Sequence, residues 1–171
     1  IAQRAVSMIM SAVYEQDFYD FSYGFREGRS PHQAVKSLRE QCYKENAHWI
    51  IDADISKFFD NLDHGILREI IRKRIKDGSI IRLLGKWLNA GVVDGEETIY
   101  PEKGTPQGSV LSPLLANIFL HYVLDEWYIK QIKPRLKGGN FLIRFADDFV
   151  IGCELEEDAL RIMSVLPKRF E

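Results

Sequence analysis

Cysteine, long apolar runs and excess positive charge are all scarce in this 171-residue chain. Its two cysteines, Cys42 and Cys153, sit at no metal-ligand spacing, which leaves neither a disulfide framework nor a zinc site. Both read as reduced thiols of a cytoplasmic protein. No stretch approaches the ~20 apolar residues that cross a bilayer, so no membrane helix and no membrane partner is expected. The four histidines form no ligand cluster; His64 falls near a helix start and His121 inside an apolar helix, both structural positions. Lys and Arg number 23 against 25 Asp and Glu, a net charge of −2, which is unusual for a protein that grips phosphate backbones. Neither an initiating Met nor a signal peptide opens the chain, and Leu166–Glu171 ends it without a cap or tail. It reads as a fragment of something longer.

Apolar residues make up 46% of the chain, enough for a proper core, and its length suits one domain. Helical spacing covers Ala2 to about Tyr14, and a turn-rich stretch follows from Asp17 to Arg29. Ser30 caps a second helix with Pro31 at its first position, running to about Lys44. A strand enters Asp54 with Trp49, Ile51 and Ile55 expected inside. Helices are predicted near Gly65–Lys76, capped by Asn61 or Asp63, and Ile80–Ala90. Gly91 and Asp94-Gly95 punctuate a hairpin whose second strand lies near Thr98–Tyr100. A long helix from Leu111 to about Tyr128 carries Leu114, Leu115, Ile118, Phe119, Tyr122 and Val123 at helical spacing. Lys137–Asn140 turns into a last hairpin. Charge is uneven: seven basic residues face two acidic ones between Arg68 and Lys86, and Glu154, Glu156, Glu157 and Asp158 begin the final helix. The class expected is α+β, an antiparallel sheet backed by helices.

Phe145-Ala146-Asp147-Asp148 lies between the apolar runs Phe141-Leu142-Ile143 and Phe149-Val150-Ile151, so a hairpin tip presents two adjacent carboxylates. Neighbouring acids repel, and a cation relieves them; Mg²⁺ takes a few carboxylates together with substrate phosphates. A solvated turn would hold Asp-Asp as well. Asp52 and Asp54 alternate on the strand Trp49–Ile55 and point to one face. Gly104-Thr105-Pro106-Gln107-Gly108-Ser109 leads into a helix opened by Ser112-Pro113, and such a loop offers free N–H donors to an anion or a base. Ser112 and Pro113 are explained by helix initiation; Gly104, Gln107 and Gly108 are not.

Together with Ser22-Tyr23-Gly24-Phe25-Arg26-Glu27-Gly28-Arg29-Ser30 and Asp54-Ile55-Ser56-Lys57-Phe58-Phe59-Asp60-Asn61-Leu62-Asp63-His64, these ordered blocks resemble the group II intron-encoded reverse transcriptases, or maturases, over essentially the whole chain. Departures are small: Phe145 stands where Tyr is usual, and Glu27 where Pro is frequent. The resemblance implies a polymerase palm carrying the catalytic acids, with residues 1–48 on the fingers side and 49–171 mostly palm. The thumb and later domains would lie outside this chain and carry the missing basic surface.

What the resemblance implies chemically is an RNA-directed DNA polymerase. Asp54, Asp147 and Asp148 would bind two Mg²⁺ ions, with the backbone carbonyl of Ile55 completing one set of ligands. Gln107 and Gly108 would line the pocket for the incoming nucleotide, and Arg26 and Arg29 would touch template or triphosphate. Phe59, five residues after Asp54, would sit beneath the ribose, where a ring collides with a 2′-hydroxyl and selects deoxynucleotides. Phe58 would pack inward. Partners implied are an RNA template, a DNA primer, dNTPs and the intron RNA itself. Two other readings stay open: a related bacterial reverse transcriptase of CRISPR adaptation or phage defence, and an RNA-binding scaffold without catalysis.

Overall fold

The computed structural model describes residues 1–56, 58–89, 92–94, 97–99 and 110–170. In chain order the elements are α1 (Ala2–Tyr14), α2 (Pro31–Lys44), β1 (Trp49–Ala53), α3 (Phe58–Asn61), α4 (His64–Arg72), α5 (Gly78–Leu88), β2 (Val92–Asp94), β3 (Glu97–Ile99) and α6 (Ser112–Leu120). Wider π turns at His121–Asp125 and Tyr128–Ile132 and a 3₁₀ turn at Lys133–Arg135 continue from α6. The chain closes with β4 (Asn140–Phe145), β5 (Asp148–Cys153) and α7 (Glu156–Phe170). This is an α+β fold, as the sequence pattern implies.

Two compact units divide the chain. Residues Ile1–Asp17 and Ser56–Phe119 form a mainly helical one. Its core includes Met10, Tyr14, Leu67, Ile71, Leu84 and Leu111, all close to fully buried. The Tyr14 hydroxyl donates to the Ile71 carbonyl at 3.1 Å, tying α1 to α4. Local chemistry sets the helix starts: Asp63 accepts from the Ile66 N–H at 2.8 Å, and Asp77 from those of Ser79 and Ile80. These backbone bonds hold the Asp77 carboxyl below its ordinary pKa. Because Asp77 opens α5, α4 stops at Arg72 and falls short of the expected Lys76. Phe58 is buried, its ring 5.9 Å from that of Phe119.

Residues Phe18–Ile55 and Leu120–Glu171 form the second unit, built on an antiparallel sheet of order β1-β5-β4. Residues 21–23 lie along the free side of β4, where the Arg144 N–H donates to the Phe21 carbonyl at 2.8 Å and the Tyr23 N–H to the Arg144 carbonyl at 2.9 Å. Helix α2 packs on β4, and α7 on β1 and β5. Tyr23, Ala34, Phe141 and Ile143 make a buried cluster, joined at its margin by Leu38, Cys42 and Phe145. The turn before β4 is held by acids of α7 and its approach: Asp158 accepts from the N–H groups of Lys137 and Gly138, and Glu154 from that of Gly139.

Three expectations are corrected here. Trp49 is 43% exposed and Ile55 only half-buried, leaving Ile51 as the core residue of β1. Trp49 stands at the outer end of an edge strand, where little covers it. The long helix is α-helical only as far as Leu120. Beyond it the backbone widens into π turns, along which His121, Leu124, Asp125 and Tyr128 are buried. The second strand of the small hairpin is Glu97–Ile99, one residue earlier than expected, and Tyr100 lies outside the described residues.

Candidate active site

Strand register builds this site. Phe145 pairs with Asp148, so Ala146 and Asp147 form a two-residue hairpin tip. On the other side of β5, Ala53 pairs with Phe149 and Asp52 with Val150. The antiparallel order therefore carries Asp54, the next residue after β1, to the level of Asp148. The two carboxyls lie close enough to act on each other. Asp52 shares the Asp54 side of the strand and is exposed, as are Asp54 and Asp148, whereas Asp147 is half-buried.

Charge confirms how close these groups lie. Asp148 holds its proton above the ordinary carboxylate range, first through partial burial, then through the negative charges of Asp147, Asp54 and Asp52, and last through its bond with Asp54. Four acids on one strand end and one turn make an anionic spot that a cation would relieve. Among the described residues no three His, Cys, Asp or Glu side chains already converge into a cage for a metal ion. Asp54, Asp147 and Asp148 offer only carboxylate oxygens, the donor type that Mg²⁺ takes together with water and phosphate. Zinc, which wants four converging protein ligands, would be poorly served.

The hairpin tip is shaped by strain and by neighbours. Ala146 adopts φ +59°, which primed hairpin turns require and a non-glycine residue resists by ~1 kcal/mol. Gly24, in the loop before α2, approaches so closely that a Cβ there would lie 3.0 Å from Ala146 Cα and nearer still to its nitrogen. From below, Arg144 Nη1 donates to the Ala146 carbonyl at 2.9 Å.

Arg144 and its partner Asp125 were not singled out by the sequence. Both are fully buried and joined bidentately, Nε to Oδ1 at 2.8 Å and Nη2 to Oδ2 at 2.7 Å. The available signal was a lone arginine inside the apolar run Phe141–Phe145, and an acid at a helical core position after Val123-Leu124. Such charges are almost never fully buried unless paired.

Other expected site residues fall elsewhere. Arg26 is buried, with Nη1 donating to the carbonyls of Tyr19 and Ser22 at 2.7 Å and its guanidinium over the Phe18 ring. Arg29 bonds the carboxylate and carbonyl of Asp20 and lies over the Tyr23 ring. Both brace the loop that carries Gly24. Ile55 is half-buried beside Asp54. Gln107 and Gly108 lie outside the described residues, as does the Phe59 side chain. Buried Cys153 has its thiol pushed up to about 11 by burial and by Asp158, so it is protonated and inert.

A family model described as reverse transcriptase (RNA-dependent DNA polymerase) matches residues 1–171. The chain belongs to the reverse transcriptase family. This reverse transcriptase chain is 41% identical to the group II intron-encoded protein LtrA of Lactococcus lactis subsp. cremoris, across 79% of the chain and 22% of LtrA. It is 34% identical to protein YkfC of Escherichia coli (strain K12), across 94% of the chain and 50% of YkfC. The chain thus spans half or less of these relatives' lengths. The kinship with group II intron-encoded proteins implied by the motif blocks holds. Its reverse transcriptase fold is shared with a telomerase from Candida albicans solved in complex with a fragment of telomeric RNA, at a TM-score of 0.71. That likeness covers 96% of this chain and 32% of the telomerase, at 12% identity. No helix among the described residues is long and apolar enough to cross a membrane.

Proposed function

We propose that this chain is the catalytic core of an RNA-directed DNA polymerase that extends a DNA primer on an RNA template with dNTPs. One observation carries the reading: β1–β5 register brings Asp54 level with Asp148, beside the tip that also holds Asp147. Asp54, Asp147 and Asp148 would hold two Mg²⁺ ions, with the Ile55 carbonyl as a further ligand. When bound, the pair supplies charge neutralisation for a triphosphate and activates a primer 3′-hydroxyl. The protein's own part is to hold these carboxylates together at one place. Gln107 and Gly108 would bound the nucleotide pocket, and Phe59 would reject the ribose 2′-hydroxyl. Arg26 and Arg29 act on template or triphosphate through the loop they brace.

Relatedness to LtrA supports a maturase setting, with intron RNA as a further partner. Primer extension on an RNA template by the full-length protein, with Mg²⁺ and either dNTPs or NTPs, tests the proposal. DNA synthesis that disappears in Asp147→Ala is the expected result. A folded protein with no synthesis under any of these conditions would shift the weight to an RNA-binding scaffold.

A further inference from the structure

The buried Arg144–Asp125 pair is more than the sheet needs. A buried ion pair gives little net stability, because desolvation of both groups offsets their attraction, and apolar pairs of similar volume often do as well. This pair also makes a third contact, from Arg144 Nη1 to the Ala146 carbonyl. That oxygen belongs to the peptide unit joining Ala146 to Asp147. The unit is planar, so holding its oxygen restrains the position of the Asp147 Cα, from which the carboxylate leaves the turn.

We propose that Arg144, oriented by Asp125, is the positioning residue of the Asp147–Asp148 turn. Each part of the geometry serves this role. The bidentate carboxylate sets the guanidinium plane, which leaves Nη1 aimed at the turn. Asp125 is itself presented by the π turn His121–Asp125, whose Val123 carbonyl accepts from Arg169 Nε of α7 at 2.8 Å. His121 lies on the same turn with Nδ1 4.0 Å from Asp125 Oδ2, among the rings of Phe18, Tyr19 and Tyr122. The Arg144 backbone is clamped to Phe21 and Tyr23, in the loop that brings Gly24 against Ala146. A turn strained at Ala146 is thus held from below by a side chain and from above by a glycine contact. Lysine could not replace Arg144, since a point charge cannot bond a carboxylate bidentately and a carbonyl at once.

This inference rests on the polymerase reading, and its test separates the two. In the full-length protein, Arg144→Met with Asp125→Leu removes the charges together, and Arg144→Lys keeps the charge but not the fork. Thermal melting, Mn²⁺ binding followed by the electron paramagnetic resonance of free Mn²⁺, and primer-extension kcat and KM are measured for each. Cooperative melting should persist in the double variant. Mn²⁺ affinity and kcat should fall by ~10–100-fold, as when a metal ligand loses its outer support, with KM for dNTP nearly unchanged. Arg144→Lys should show the same split. A folded double variant, or a folded Arg144→Lys, with the unaltered protein's Mn²⁺ affinity and kcat would overturn the positioning role. Absence of DNA synthesis by the unaltered protein would defeat the polymerase reading alone, and Mn²⁺ binding would still decide on Arg144.

Discussion

Gly24→Ala is the sharpest probe of how the catalytic turn is held. Gly24 shows no positive φ, so alanine suits its backbone and, absent a clash, would stabilise by ~0.4–1 kcal/mol through the unfolded chain. The added Cβ, however, would meet Ala146 Cα and Cβ at 3.0 Å and the Ala146 nitrogen closer still. Carbon contacts are comfortable at ~3.5–4.0 Å, so the turn or the loop must shift by roughly 1 Å. Neither side yields easily: the loop is braced by Arg26 and Arg29, and the turn by Arg144. Overpacking of this kind costs about 1–3 kcal/mol, read from urea unfolding. A displacement of ~1 Å at the catalytic acids should lower kcat for primer extension by about 100-fold. Gly28→Ala is the control, because Gly28 has φ +72° with open space around its Cα. It should lose ~1 kcal/mol of stability through backbone strain alone and keep its kcat. If Gly24→Ala kept both stability and kcat within twofold, the close approach to Ala146 would have no functional meaning.

Asp148→Asn should stabilise the metal-free protein near neutral pH while abolishing synthesis. A raised folded-state pKa means that this carboxyl's contribution is fully present below the unfolded value of 3.8 and is lost as pH rises through the folded one. Removing the repulsion should therefore help above that window, by no more than ~1 kcal/mol for a solvent-exposed group, and do nothing below it. Melting curves at acid and neutral pH check this, and saturating Mg²⁺ should erase or reverse the difference. Phe59→Val in the full-length protein should raise ribonucleotide incorporation relative to deoxynucleotides, read from primer extension with mixed substrates. Unchanged sugar discrimination would remove the steric role from that ring.

Local rules made the skeleton of this fold legible in advance. Ser30 and Pro31 start α2 as capping chemistry says, and Asp63, one of two candidate caps, does open α4. The hairpin around Asp147 could be read because apolar runs flank the acids on both sides, and the strand register narrows its tip to Ala146 and Asp147. Adjacency of Asp54 to Asp148 was less accessible. It depends on β1 pairing with β5 over a separation of almost a hundred residues, and period-2 patterning gives a strand's faces but not its neighbour. The motif resemblance supplied that link, which spacing alone does not contain.

The Arg144–Asp125 pair shows where sequence patterning fails for a physical reason. A continuous α-helix from Leu111 puts Asp125 on the same stripe as Leu111, Leu114, Leu115, Ile118 and Tyr122, and an acid there reads as a flaw in the pattern. The stretch His121–Asp125 is instead a π turn, in which Tyr122 and Val123 are only half-buried while Leu124 and Asp125 are fully buried. An acid at that depth has to be paired, and the guanidinium that meets it also grips the turn carrying Asp147 and Asp148. A π turn inserts an extra residue at the expense of regular backbone bonding, and such insertions gather at functional sites. Here the π turn carries Asp125, Asp125 orients Arg144, and Arg144 bonds the peptide before Asp147. Asp125→Ala would deprive the buried Arg144 guanidinium of the carboxylate that orients it toward the Ala146 carbonyl. The turn would then lose its support even though Asp54, Asp147 and Asp148 all remained in the chain.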